Sequence, residues 1–236
     1  MSRSGKRETA AIEQVARHFG ATWEDGGATS PDAYLTLDAR RIAVDVAAID
    51  PVVAEHAATA PRLRFDKVAL RLISRLQAAL SPRVPDGKVV ILTVTAPIRL
   101  PAKTAAELER HVGECLRRGA MNVEISDTIC ANQTRVRFAK GIAGPASKVI
   151  VFVHNPDTDP RVLFDLTTGL LKRIGAAAEQ RPPVAFSGDR WLVIADEQGS
   201  ARIETYRHVY SQLRIASDFS KILVVLADGQ VEALLG

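Results

Sequence analysis

Two apolar runs restrict what this chain can fold into. Val89–Thr95 (VVILTVT) and Val149–His154 (VIVFVH) are nearly unbroken β-favouring stretches without the in-out alternation of a strand that wets one face. Strands of that kind need a sheet covered on both sides, and helices must provide the cover. The chain supplies them. Amphipathic spacing predicts helices over Arg7–Phe19, Pro61–Leu80, Thr104–Arg118, Pro160–Gln180 and Ala201–Leu213. Further strands are expected at Met121–Thr128, Thr134–Ala139, Trp191–Ala195 and Lys221–Leu226, and Asp228-Gly229 marks a closing two-residue hairpin turn. The expected fold class is therefore α/β, with a mixed central sheet and helices on both faces.

Chemistry concentrates in Pro31–Ile49, PDAYLTLDARRIAVDVAAI. Tyr34–Leu37 and Ile42–Val46 are short strand-forming runs joined by the polar reversal Asp38-Ala39-Arg40-Arg41. The two-residue period puts Ile42, Val44 and Val46 on one face of the second strand, and Ala43, Asp45 and Ala47 on the other. Asp45 is thus an acid between two alanines, with room beside it for a close neighbour or a metal ion.

Pro31-Asp32 followed by Asp45-Val46-Ala47 resembles the core of the PD-(D/E)XK nuclease superfamily, in which a Pro-Asp near one strand and an acidic-x-lysine tripeptide on the next form the site. Thirteen positions separate the two aspartates, and Ala47 stands where the family has its lysine. The resemblance implies a restriction-endonuclease-like core and a metal-dependent nuclease. Asp32 and Asp45 would hold magnesium or manganese, since convergent carboxylates bind the hard cation that polarises a phosphodiester and activates water. It also implies an acidic contribution from the helix ahead of the Pro-Asp strand, for which Glu13 is the candidate, a surface glutamate being the other reading. Lys172, or failing it Lys67, is the candidate for a lysine supplied from a helix. Because Ala47 replaces the motif's lysine, a catalytically inactive domain of the same architecture, serving to bind nucleic acid or protein, stands beside the enzyme. On this reading the whole of 1–236 is one domain, and residues 51–147 are an inserted α/β elaboration.

Nucleic acid is the partner that the charge allows. The formal charge is +4 and the sequence pI about 9.3. Arg64, Lys67, Arg71 and Arg75 recur at spacings of three and four on the expected 61–80 helix, as a stripe that could track a phosphate backbone or as an ordinary solvated face. Phosphate-loop, dinucleotide, zincin and nucleophile-elbow motifs are all missing, so no nucleotide cofactor is expected. Two cysteines cannot build a disulfide framework, and no signal-peptide core or long apolar run appears, which predicts a cytoplasmic protein without a membrane segment. His154, Asp157 and Asp159 gather at the end of a buried strand, where α/β sheets place sites, but the stronger reading is a helix start, with Asp159 as N-cap and Pro160 as first helical residue.

Overall fold

The computed structural model describes residues 3–27, 30–49, 63–121, 123–141, 146–180, 186–196, 199 and 201–236. It is α/β, as the sequence implies, but the strands form two sheets. One has six strands and the other four. The described chain accordingly divides into two compact units: the first from Met1–Val52, Gly169–Tyr210 and Ser217–Gly236, the second from Val53–Thr168 and Ser211–Ala216. The expectation is a single domain with a 51–147 elaboration. The middle of the chain has its own sheet and core and extends to Thr168.

In the first unit α1 (Arg3–Phe19) precedes β1 (Thr22–Asp25), β2 (Ala33–Leu37) and β3 (Arg40–Ala48). These three strands form an antiparallel meander. The later half of α4 (Pro160–Glu179) then leads to β8 (Arg190–Ala195), which pairs parallel to β3. Next come α5 (Ile203–Leu213), β9 (Lys221–Val225), parallel to β8, and β10 (Val231–Leu235), antiparallel to β9. The strand order is β1-β2-β3-β8-β9-β10.

The two-residue period acts as expected. Ile42, Val44 and Val46 join Ala11, Ile12, Val15 and Ala16 of α1 in one core, together with Trp191 and Val193. Ala43 and Asp45 are buried on the opposite face. The β2–β3 reversal is tighter than the expected four residues: Leu37 pairs with Arg40, and Asp38 and Ala39 both have positive φ, 48° and 63°. That is the mirror-image turn whose twist matches paired strands. Thr22–Asp25 is an edge strand against β2.

In the second unit the strand order is β5 (Glu124–Ile129), β6 (Asn132–Lys140), β4 (Lys88–Thr95) and β7 (Val149–His154). The two apolar runs that restrict the fold, β4 and β7, lie side by side and parallel. α2 (Lys67–Leu80) and α3 (Pro101–Arg117) bury Leu72, Leu76, Leu108 and Val112 against Val90, Leu92, Val136 and Val151. On the other sheet face, Arg137 donates to Asp165 Oδ1 at 2.6 Å and lies over the Phe164 ring, docking the first turns of α4.

Two helix starts depart from expectation. α2 begins at Lys67 because Asp66 caps it, accepting from the N–H groups of Val68 and Ala69. The expected start at Pro61 lies outside the described residues. α3 begins at Pro101, a residue suited to the first helical position, so Thr104 is inside the helix and its hydroxyl donates to the Arg99 carbonyl at 2.8 Å. Among the described residues, no helix is long and apolar enough to cross a membrane.

Candidate functional site

Hairpin geometry brings the two expected aspartates together. Ala33 pairs with Val44, so the next rung puts Asp32 opposite Asp45, and Asp32 Oδ2 accepts from the Val46 N–H at 2.7 Å. The approach to this rung depends on one glycine. A β-carbon on Gly26 would lie 1.9 Å from the Pro31 carbonyl oxygen, and the Gly26 N–H donates to the Asp32 carbonyl at 2.9 Å.

Asp32 and Asp45 line one cleft of about 450 Å³ in the first unit, together with Arg7 and Glu8 from α1, Ala47 from β3, Arg173 on α4 and Gln180 just beyond its end. Burial raises the Asp32 carboxyl above its usual range. The Val46 hydrogen bond opposes this, and the negative charges of Asp45, Glu8 and Asp25 add to the rise.

Other expected site residues fall elsewhere. Glu13 is exposed and does not line the cleft, whereas Glu8 does. The apolar stripe of α1 centres on Ala11, Ile12, Val15 and Ala16; Glu8 is in register with it, and Glu13 is turned about 130° from its centre. Lys172 is exposed because it lies opposite the buried stripe Leu170, Leu171 and Ile174; its neighbour Arg173 flanks that stripe and reaches the cleft. Lys67 belongs to the second unit and does not line this cleft.

The basic stripe is also altered. Arg64 precedes α2, bonds through its backbone N–H to Val153, and pairs with Asp66 at 3.2 Å. Arg75 pairs with Glu109 at 3.0 Å. Lys67 and Arg71 remain as exposed helical cations.

The residue that organises the cleft is Arg190, for which the sequence held no signal beyond its place at the start of a strand. Its guanidinium is 4% exposed and faces an Asp45 carboxylate that is 3% exposed. Nε and Nη2 donate to Asp45 Oδ2 at 2.9 and 2.7 Å. Nη1 donates to both oxygens of Asp218 at 3.0 and 2.9 Å. Nη2 also donates to the carbonyls of Ala177, at 2.6 Å, and Gln180. The Ala177 carbonyl also accepts from the Gln180 N–H at 3.2 Å, so the arginine adds a second donor at the helix C-terminus and ties it to β3. The remaining Asp45 oxygen, Oδ1, accepts from the Ser30 hydroxyl at 2.7 Å.

This donor set fits a divalent cation poorly. Asp45 already faces a buried cation and accepts from three donors. Among the described residues, no group of three or more His, Cys, Asp or Glu is arranged to hold a metal ion. The fold and cleft thus define an α/β protein with paired carboxylates closed by an arginine. Set against protein-family models, curated proteins and solved structures, the chain matches none.

Proposed function

We propose that the chain is a PD-(D/E)XK-like domain that binds nucleic acid without cutting it. The observation that carries this reading is Asp45, which occupies the motif's acidic position but is bound by Arg190 at 2.7 Å on Oδ2 and by Ser30 on Oδ1. The order α1, antiparallel β1–β2–β3, α4 and parallel β8 supports the nuclease-like core, as does Glu8 on the helix ahead of Pro31-Asp32. Turnover lacks its ammonium: Ala47 holds none and Lys172 is turned to solvent. Nucleic acid as the partner is supported by the charge of +4 and by the exposed Lys67 and Arg71.

One observation favours hydrolysis as a second reading, namely that Glu8, Asp32 and Asp45 share a cleft with Arg173. It requires Asp45 to exchange Arg190 for magnesium or manganese.

A single set of measurements separates the two. Labelled single- and double-stranded DNA and RNA should bind with an affinity that falls steeply with salt, because each phosphate contact releases counterions. Lys67→Glu with Arg71→Glu should weaken that binding, and all substrates should stay intact with magnesium or manganese present. Cleavage lost in Asp32→Asn would establish the second reading instead. Failure to bind any of the four would remove nucleic acid as the partner.

A further inference from the structure

The second unit contains a cavity of about 900 Å³ that the nuclease-like reading does not use. It lies at the C-terminal ends of the parallel strands β4 and β7, where open α/β sheets place ligands. Thr93 and Thr95 on β4, Arg135 on β6, His154 on β7, and Asp157 and Arg161 at the start of α4 line it. Register explains the convergence. Thr93 is opposite both Arg135 and Phe152, and Thr95 is opposite His154, so the hydroxyls, the guanidinium and the imidazole project from one sheet face.

One buried group on this floor lacks a partner, and a second makes only a long contact at one of its atoms. The Thr93 hydroxyl has none among the described residues, although the side chain is 1% exposed. Native proteins seldom leave such a group unsatisfied, because its desolvation is uncompensated. His154 is 2% exposed, and its Nδ1 lies 2.8 Å from the Asn155 carbonyl, so Nδ1 carries the proton and Nε2 is an acceptor. Nε2 faces the Thr95 hydroxyl at a long 3.4 Å. Arg135 is held loosely, 3.4 Å from Glu124, which Arg137 grips at 2.8 Å.

The floor thus offers hydroxyl donors and a guanidinium for an anion, and beside them an imidazole acceptor and the Asp157 carboxylate for ligand hydroxyls. The first turn of α4 adds the positive end of a 20-residue helix. The volume suits a small molecule, within the range of about 300–1,000 Å³ typical of such sites. We propose that this cavity binds a small phosphorylated polyol, a sugar phosphate by class, with its phosphate toward Thr93 and Arg135 and its hydroxyls toward His154 and Asp157.

The test is titration of the full chain with ribose 5-phosphate, followed by calorimetry and by amide and imidazole resonances. Ribose, inorganic phosphate and a short single-stranded oligonucleotide serve as separate arms. Saturable binding of ribose 5-phosphate that shifts Thr93, Thr95 and His154, tighter than ribose or phosphate alone, is expected. Thr93→Val and Arg135→Gln should each weaken it about tenfold or more. Thr93→Val should at the same time raise the Tm of the ligand-free protein, because the stranded hydroxyl is gone; a purely structural threonine would leave affinity unchanged, and that result overturns the proposal. Equal affinity for inorganic phosphate removes the polyol. Tighter binding of the oligonucleotide at the same resonances assigns the cavity to nucleic acid instead, and no shift with any arm leaves no site.

Discussion

The cleft of the first unit and the cavity of the second are both polar concavities beside parallel strands, yet their hydrogen bonding differs. In the first, Asp45 is bound on both oxygens, and Arg190 makes bonds with Asp45, Asp218 and two helix-end carbonyls. In the second, a buried hydroxyl has no partner among the described residues, and the Nε2 of a buried imidazole makes only one long contact. A closed network of charges holds elements together and has little left to offer a ligand, whereas an open one retains the directional groups that recognition requires. The same residue types therefore argue for different roles, and satisfaction of their hydrogen bonds is what separates them.

The largest expected effect comes from opening the closed network. Arg190→Met leaves Asp45 as a buried charge without its counter-ion and removes the guanidinium donor from the Ala177 and Gln180 carbonyls, so it should destabilise by about 3–5 kcal/mol in denaturant titration. Most of that loss is the stranded charge. Asp45→Asn in the same background should recover part of it, since the amide oxygen still accepts from Ser30. Equal losses in the single and double variants would mean that helix capping, and not the ion pair, is what Arg190 contributes.

A smaller effect is expected at the rim of the second cavity. Asn132 is 2% exposed; its Nδ2 donates to Thr104 Oγ1 and to the carbonyls of Arg99, Ile129 and Cys130, and its Oδ1 accepts from the Arg99 N–H at 2.6 Å. It thus fixes the β5–β6 turn, where Cys130 and Ala131 hold positive φ, to the start of α3. Asn132→Ala should destabilise by about 2 kcal/mol, by leaving buried groups unpaired. If the rim acts only as scaffold, ribose 5-phosphate affinity in the folded variant should stay within about twofold; a collapse of affinity would show that the rim itself touches the ligand.

Periodicity made much of this legible. The alternation in Ile42–Val46 places Asp45 on the face away from α1, and the short reversal makes Asp32 its cross-strand neighbour. Helical phase was equally available but needs the whole stripe to read. Glu8 is one turn before Ile12 in the same buried series, and Lys172 is opposite Leu170 and Ile174. The two sheets were not legible, because runs such as VVILTVT and VIVFVH state that a strand is buried without stating which strand it joins. Arg190 was illegible for a related reason: its partners Asp45, Ala177, Gln180 and Asp218 are remote in sequence, and an arginine ahead of a strand usually remains in solvent.

The smallest expected effect sharpens the comparison inside the first cleft, where Asp32 is the carboxylate outside the arginine's reach. Burial and the neighbouring acids raise its carboxyl above the ordinary range, so ionising it costs more in the folded chain than in the unfolded one. The sign follows: its favourable contribution is full below the unfolded value near 3.8 and is lost as pH rises through the folded value, which leaves a net penalty at neutral pH. Asp32→Asn removes that penalty and keeps an oxygen to accept from Val46. It should raise Tm by about 1–2 °C at pH 7, small because the group is partly solvated, and by nothing at a pH below the unfolded value. Calorimetry at both pH values reads the difference directly. A lower Tm at pH 7 would mean that the ionised carboxylate has a stabilising partner, and Asp32 would then belong with Asp45 to the closed network.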